Sequence, residues 1–191
     1  VFTEETASQL VGLVRLHTLD LSDNPLEVPP VLLRMNDLRR LNLNNTQITR
    51  CPYGIRDEPY MISLDLRDNQ IARIPPAVMN QAVSVDRVLL WGNPLTDEDT
   101  LRRLISHREQ TGINLWLSAP SADYGQPIVW LRDCDEPLQQ SRKALWQRLV
   151  DKPSGTRFLS AIDRLSLTAD FQVSYLSLQA RVWRLLEAAD A

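Results

Sequence analysis

The sequence predicts an α/β solenoid, with short parallel strands along a concave face, followed by an all-α segment. Three observations lead there. An apolar template recurs at a nearly constant step, the apolar period then changes from two to about 3.6 residues, and an irregular stretch separates a second set of helical patterns.

The template is Leu-x-x-Leu-x-Leu-x-x-Asn-x-Leu. Leu16, Leu19, Leu21, Asn24 and Leu26 match it, as do Leu38, Leu41, Leu43, Thr46 and Ile48. Met61, Leu64, Leu66, Asn69 and Ile71 form a third copy, and Val85, Val88, Leu90, Asn93 and Leu95 a fourth. The Asn-or-Thr position moves from 24 to 46 to 69 to 93, steps of 22, 23 and 24 residues, which are leucine-rich-repeat spacings. Each Leu-x-Leu is a short strand that points its apolar side chains one way and cannot bury them alone, so copies stack into a parallel sheet over a shared core. The turn after each strand directs backbone amides inward, where an Asn amide both donates and accepts. Thr46 has only a hydroxyl and satisfies those groups less completely. Pro29, Pro52 and Pro75 keep the return segments from becoming regular strands. Thr96 with Asp99 reads as a capping box opening a helix through Leu101, Leu104 and Ile105 that stops near Gly112. Ile113 to Leu117 alternates and offers one last strand to close the repeat core.

The expected organisation is a repeat domain with its cap over 1–117, a linker over 118–127 and a helical segment over 128–191. Pro137 stands at a helix start before Leu138, Leu145, Trp146 and Leu149. The pattern breaks at Lys152-Pro153-Ser154-Gly155 and resumes at Phe158, Leu159, Ile162 and Leu165. A last helix places Leu178, Val182, Leu185 and Ala189 on one face. That face is expected to rest on the repeats, to pair with another copy, or to be mobile. A first residue of Val1 beside a repeat already under way suggests a piece of a longer protein.

The chain is 43% apolar and 24% charged, ordinary for a globular protein, and its net charge of −3 gives no long-range attraction for nucleic acid. No run is long and apolar enough to span a bilayer. The two cysteines, Cys51 and Cys134, and two histidines, His17 and His107, lack metal-site spacing. No catalytic residue, metal ligand or cofactor is assigned. The chemistry the sequence does offer is recognition. Residues flanking the strand leucines face outward, and Arg40, Asn42, Asp65, Arg67, Arg87, Leu89 and Trp91 are the candidate partner-binding set. Trp91 beside Arg87 is the residue mix of interface hot spots; the alternative is that Trp91 packs under the linker or the helical segment. The arginines suggest a basic stripe, but interspersed Asp20, Asp65 and Asp86 point to a mixed solvated face.

The stretch from Ala144 to Ala189 resembles the opening helices of the NEL (novel E3 ligase) domain of IpaH/SspH-type bacterial effectors and their Pseudomonas-type relatives. Trp146, Leu149, Phe158, Leu165, Thr168, Asp170, Phe171, Arg181, Val182 and Trp183 are the matching positions. The resemblance implies substrate-recognition repeats plus the first ligase helices of an E3 ubiquitin-protein transferase. It further implies a host target on the concave face, E2-ubiquitin as partner of the parent protein, and secretion of that protein by a bacterium into the host cytoplasm. These repeats are longer than those of the enterobacterial members, which favours the Pseudomonas-type relatives. The other reading is a non-enzymatic repeat module with a helical cap. Family ligases carry a Cys-x-Asp motif after the matching helices. Cys134-Asp135-Glu136 lies before them with Glu in the acid position, so Cys134 is expected not to be the nucleophile. Cys51, in register with Ile74, is expected in the repeat core.

Overall fold

The computed structural model describes residues 2–84 and 86–191, so Val85, the first template position of the fourth repeat, lies outside the described residues. Contacts divide the chain into two compact units, residues 1–118 and 119–191.

In the first unit four strands, β1 (Thr18–Asp20), β2 (Arg40–Asn42), β3 (Ser63–Asp65) and β4 (Val88–Leu89), form one parallel sheet in chain order. The template leucines set the register: Leu19, Leu41, Leu64 and Val88 are aligned neighbours, and all four are buried. A shift of one residue would turn every leucine to solvent, which fixes the alignment. The sheet ladder continues into the turns, where Asp23, Asn45 and Asp68 donate their amides to the carbonyls of Asn44, Arg67 and Trp91 at 2.8–3.0 Å. All three adopt positive φ, and the fourth equivalent is Gly92 at φ 76°. A Cβ there would meet the Asp68 carboxylate, which would have to turn away, so closeness rather than φ favours glycine in the fourth turn.

Behind those turns the expected polar ladder is present. Asn69 Nδ2 donates to the carbonyls of Leu43 (2.8 Å) and Leu66 (3.0 Å), while its Oδ1 accepts from the amides of Thr46 (3.0 Å) and Ile48 (3.3 Å). Asn93 repeats this one step on, donating to Leu66 and Leu90 and accepting from Ile71. Thr46 reaches the Leu43 carbonyl and Asn69 Oδ1 through its hydroxyl. Asn24 is exposed, and its bonds stay within its own turn, to Leu21 and Ser22.

Four features of this unit differ from the sequence reading. A helix α1 (Glu4–Leu10) precedes the first repeat, capped by Thr3 and carrying Glu4 and Glu5 where the helix dipole favours negative charge. A short helix α2 (Pro76–Asn80) starts on a proline in the third return segment. The capping residue of α3 (Glu98–Thr111) is Asp97, not Thr96. Asp97 Oδ2 accepts from the Thr100 amide (2.9 Å) and hydroxyl (2.7 Å), and the same hydroxyl accepts from the Ile74 amide, so the cap also pins the helix to the third repeat. Gly112 ends α3 in the left-handed conformation, as expected. Residues 113–117 are not a strand. Side chains hold them instead: Leu115 and Trp116 are buried, and the Trp116 indole donates to the Asn93 carbonyl at 2.9 Å.

In the second unit, residues 119–126 are irregular, and a single 3₁₀ turn (Pro127–Trp130) follows. Helices α4 (Glu136–Val150), α5 (Gly155–Leu165), α6 (Ala169–Val173) and α7 (Tyr175–Asp190) complete it. Asp135 caps α4, accepting from the Leu138 amide at 3.0 Å. Ser154 at φ 65° turns the chain into α5, and a Cβ on the buried Gly155 would overlap the Leu149 carbonyl oxygen. Trp130, Trp146, Leu149, Leu159, Ile162, Val182, Trp183 and Leu186 form the core. The buried face of α7 is Gln179, Val182, Trp183 and Leu186, rotated from the apolar stripe expected at Leu178, Val182, Leu185 and Ala189. Leu185 is exposed and Leu178 only partly buried. Helix α7 packs mainly on α4 and α6, which gives its buried side a covering inside its own unit.

Candidate functional site: an outward sheet face and two thiols

Strand alternation brings the sequence-selected residues onto the outward face of the sheet in three rows. Thr18, Arg40 and Ser63 are aligned in the first, and the Leu64–Val88 pairing extends that row to Arg87. Asp20, Asn42, Asp65 and Leu89 form the second. Ser22, Asn44, Arg67 and Trp91 follow two residues on.

The middle row has a structural task. The side chains of Asp20, Asn42 and Asp65 each accept from the amide two residues ahead, on Ser22 (2.9 Å), Asn44 (3.0 Å) and Arg67 (3.1 Å). Each short polar side chain thereby closes the end of its own strand. Ser22 Oγ adds a bond of 2.6 Å to Asp20, and together these hold the Asp20 carboxyl below its ordinary range. Asp65 is only 6% exposed and is clamped by Arg67, whose Nη2 donates at 2.6 Å. Leu89 ends the series, because it carries no acceptor. The fourth repeat therefore presents Leu89, half-buried, beside Trp91, which is 42% exposed.

A surface feature of the unit also escaped the sequence reading. An apolar groove of about 380 Å³ lies over the return segments, lined by Leu33, Tyr53, Ile55, Pro75 and Val78 among others. Its only sequence signal was the apolar Val31 to Leu33 run after Pro30.

The thiols differ in setting. Cys51 is buried in the repeat core, and burial pushes its pKa up to about 12. Cys134, before α4, is half-buried, and its sulfur accepts from Arg142 Nη1 (3.0 Å) and Gln179 Nε2 (3.6 Å). Gln179 belongs to a buried network that the sequence did not reveal. Its Nε2 donates to the carbonyls of Trp130 (2.9 Å) and Arg132 (2.8 Å), beside the Tyr175 hydroxyl, which donates to the Val129 carbonyl at 3.1 Å. No carboxylate or imidazole is among the hydrogen-bond partners given for Cys134 in the described residues. Among those residues no group of three or more His, Cys, Asp or Glu gathers as a metal site, and no helix is long and apolar enough to cross a membrane.

Two family models match. Residues 130–191 are similar to the C-terminal novel E3 ligase, LRR-interacting family (NEL), and residues 15–35 to the Leucine Rich Repeat family. No curated protein matches the chain.

Proposed function

We propose, from the premise that this chain belongs to the family in which leucine-rich repeats precede a NEL ligase domain, that it is the substrate-selecting part of an E3 ubiquitin-protein transferase together with that enzyme's first ligase helices. The order of the two matches, repeat at 15–35 and ligase at 130–191, carries this reading. Residues 1–117 form a capped repeat solenoid, 118–127 a linker and 128–191 the opening of the ligase domain. The long repeats favour the Pseudomonas-type members, and the whole protein is read as one secreted by a bacterium into a host cell. The host target sits on the concave face, where Arg40, Asn42, Asp65, Arg67, Arg87, Leu89 and Trp91 lie.

Leu89 and Trp91 are the anchor of that face, since a large half-exposed aromatic flanked by aliphatic surface yields most energy when a partner covers it. Trp91→Ala is expected to weaken target binding by ~2 kcal/mol while leaving thermal unfolding nearly unchanged. Unfolding of the variant, with residual binding intact, would assign Trp91 to the core instead.

Ubiquitin transfer needs a thiolate that an E2 thioester can reach and a base near the incoming amine. Cys51 is buried and its thiol is strongly disfavoured from ionising. Among the described residues the hydrogen-bond partners given for Cys134 are an arginine and an amide, with no base. Neither is the nucleophile, and E2-ubiquitin is a partner of the whole enzyme. With E1, E2, ATP and ubiquitin, this chain is expected to form no adduct that a reducing agent releases. An adduct lost on Cys134→Ala would overturn that assignment.

A further inference from the structure

We propose that the outward sheet face recognises an acidic segment of its protein partner, with a carboxylate seated over Ser63 between Arg40 and Arg87 and an apolar side chain resting on Leu89 and Trp91. This deepens, and rests on, the reading of that face as the target-binding surface.

Charge on this face is unevenly committed. Asp65, the acid nearest the centre, is buried and neutralised by Arg67 at 2.6 Å. Asp20 stands on the first strand, holding Ser22 and accepting from Asn42 Nδ2 at 3.2 Å. The guanidinium groups of Arg40 and Arg87, by contrast, make no hydrogen bond or ion pair among the described residues. Both lie in the first row, one on each side of Ser63, on strands two apart. At the usual strand spacing their backbones are about 10 Å apart, a gap that two long arginine side chains can close from both sides.

The chemistry of that gap is specific. Two guanidinium groups offer planar pairs of N–H donors with no acceptor of their own, and the Ser63 hydroxyl between them supplies another donor. A carboxylate is acceptor-only and satisfies all three. A lysine or arginine side chain there would meet two like charges. Leu89 follows in the next row and Trp91 beyond it, so the complementary segment carries Asp or Glu within a few residues of Trp, Phe or Leu. The chain's net charge of −3 gives no general pull on polyanions, so the attraction is local and of short range.

The test uses the 191-residue chain as bait for a displayed library of random short peptides, with the strongest peptides then measured by titration. The expected result is enrichment of Asp or Glu near an aromatic or leucine. Binding should fall about tenfold for the double variant Arg40→Gln/Arg87→Gln. The Glu→Gln or Asp→Gln peptide should lose a similar factor on the parent chain and little more on the double variant. Peptides that depend on Trp91 yet lack acidic residues, or ignore the arginine changes, would overturn the acidic recognition and leave the face as an interface. Peptides indifferent to Trp91 and to both arginines, or no enrichment at all, would overturn both. Neither guanidinium makes a hydrogen bond of the fold among the described residues, so circular dichroism of the double variant should match the parent.

Discussion

Asn69→Ala is expected to cost the repeat unit about 4 kcal/mol, because it leaves two buried amides without their acceptor and takes one of the donors from each of two buried carbonyls. Those groups are Leu43 and Leu66 on one side, Thr46 and Ile48 on the other. Bulk water does not reach these groups in the folded chain, since Asn69 is fully buried. Native-state hydrogen exchange at the Thr46 and Ile48 amides reads the effect directly. Asn24→Ala is the control: that side chain is exposed and bonded only to its own turn, so its loss should stay within about 0.5 kcal/mol. Equal losses for the two variants would mean that the asparagines act through turn propensity rather than by linking repeats.

The second large effect lies in the helical unit. Trp183 is fully buried, donates its indole N–H to the Trp130 carbonyl at 2.9 Å, and carries the Arg142 guanidinium 4.8 Å above its ring. Trp183→Ala should therefore cost about 4 kcal/mol, close to what a unit of this size has to spare. The variant is expected to lose the α4–α7 packing while the repeats stay folded, which tryptophan fluorescence and far-ultraviolet dichroism followed through urea would show as an early transition. Trp183→Phe keeps most of the ring and should cost about 1 to 2 kcal/mol. A Trp183→Ala chain that melts like the parent would remove this residue from the core.

Reading from the sequence succeeded where one physical rule decides the outcome. The leucine columns fixed the strand register, since period two permits only one alignment that keeps Leu19, Leu41, Leu64 and Val88 inside. Helices α4, α5 and α7 followed from apolar spacing, with Pro137 at the start of the first, whereas the short α6 was not foreseen. It fell short where a polar group has a buried duty. The face of α7 was read from its apolar residues, but the helix is turned so that Gln179 points inward to the carbonyls of Trp130 and Arg132. Apolar periodicity cannot register an amide that is needed inside. The cap of α3 moved from Thr96 to Asp97 for a related reason, because only there does Thr100 also meet Ile74. On the outward face, alternation showed which residues point away from the core. It did not show that Asp65 is consumed by Arg67 while the Arg40 and Arg87 side chains have no hydrogen bond or ion pair among the described residues, because that depends on side-chain reach within and between strands.

The middle row of the sheet, tied to its own strand ends, divides the labour between neighbouring positions. What keeps the repeats in register sits on the leucines, on Asn69 and Asn93, and on Asp20, Asn42 and Asp65. The side chains at flanking positions such as Arg40, Ser63 and Trp91 carry no hydrogen bond of that frame among the described residues; only their backbones take part. Mutation can therefore rewrite the exposed rows without taxing the scaffold, and a descendant can change targets rapidly while inheriting an unaltered fold.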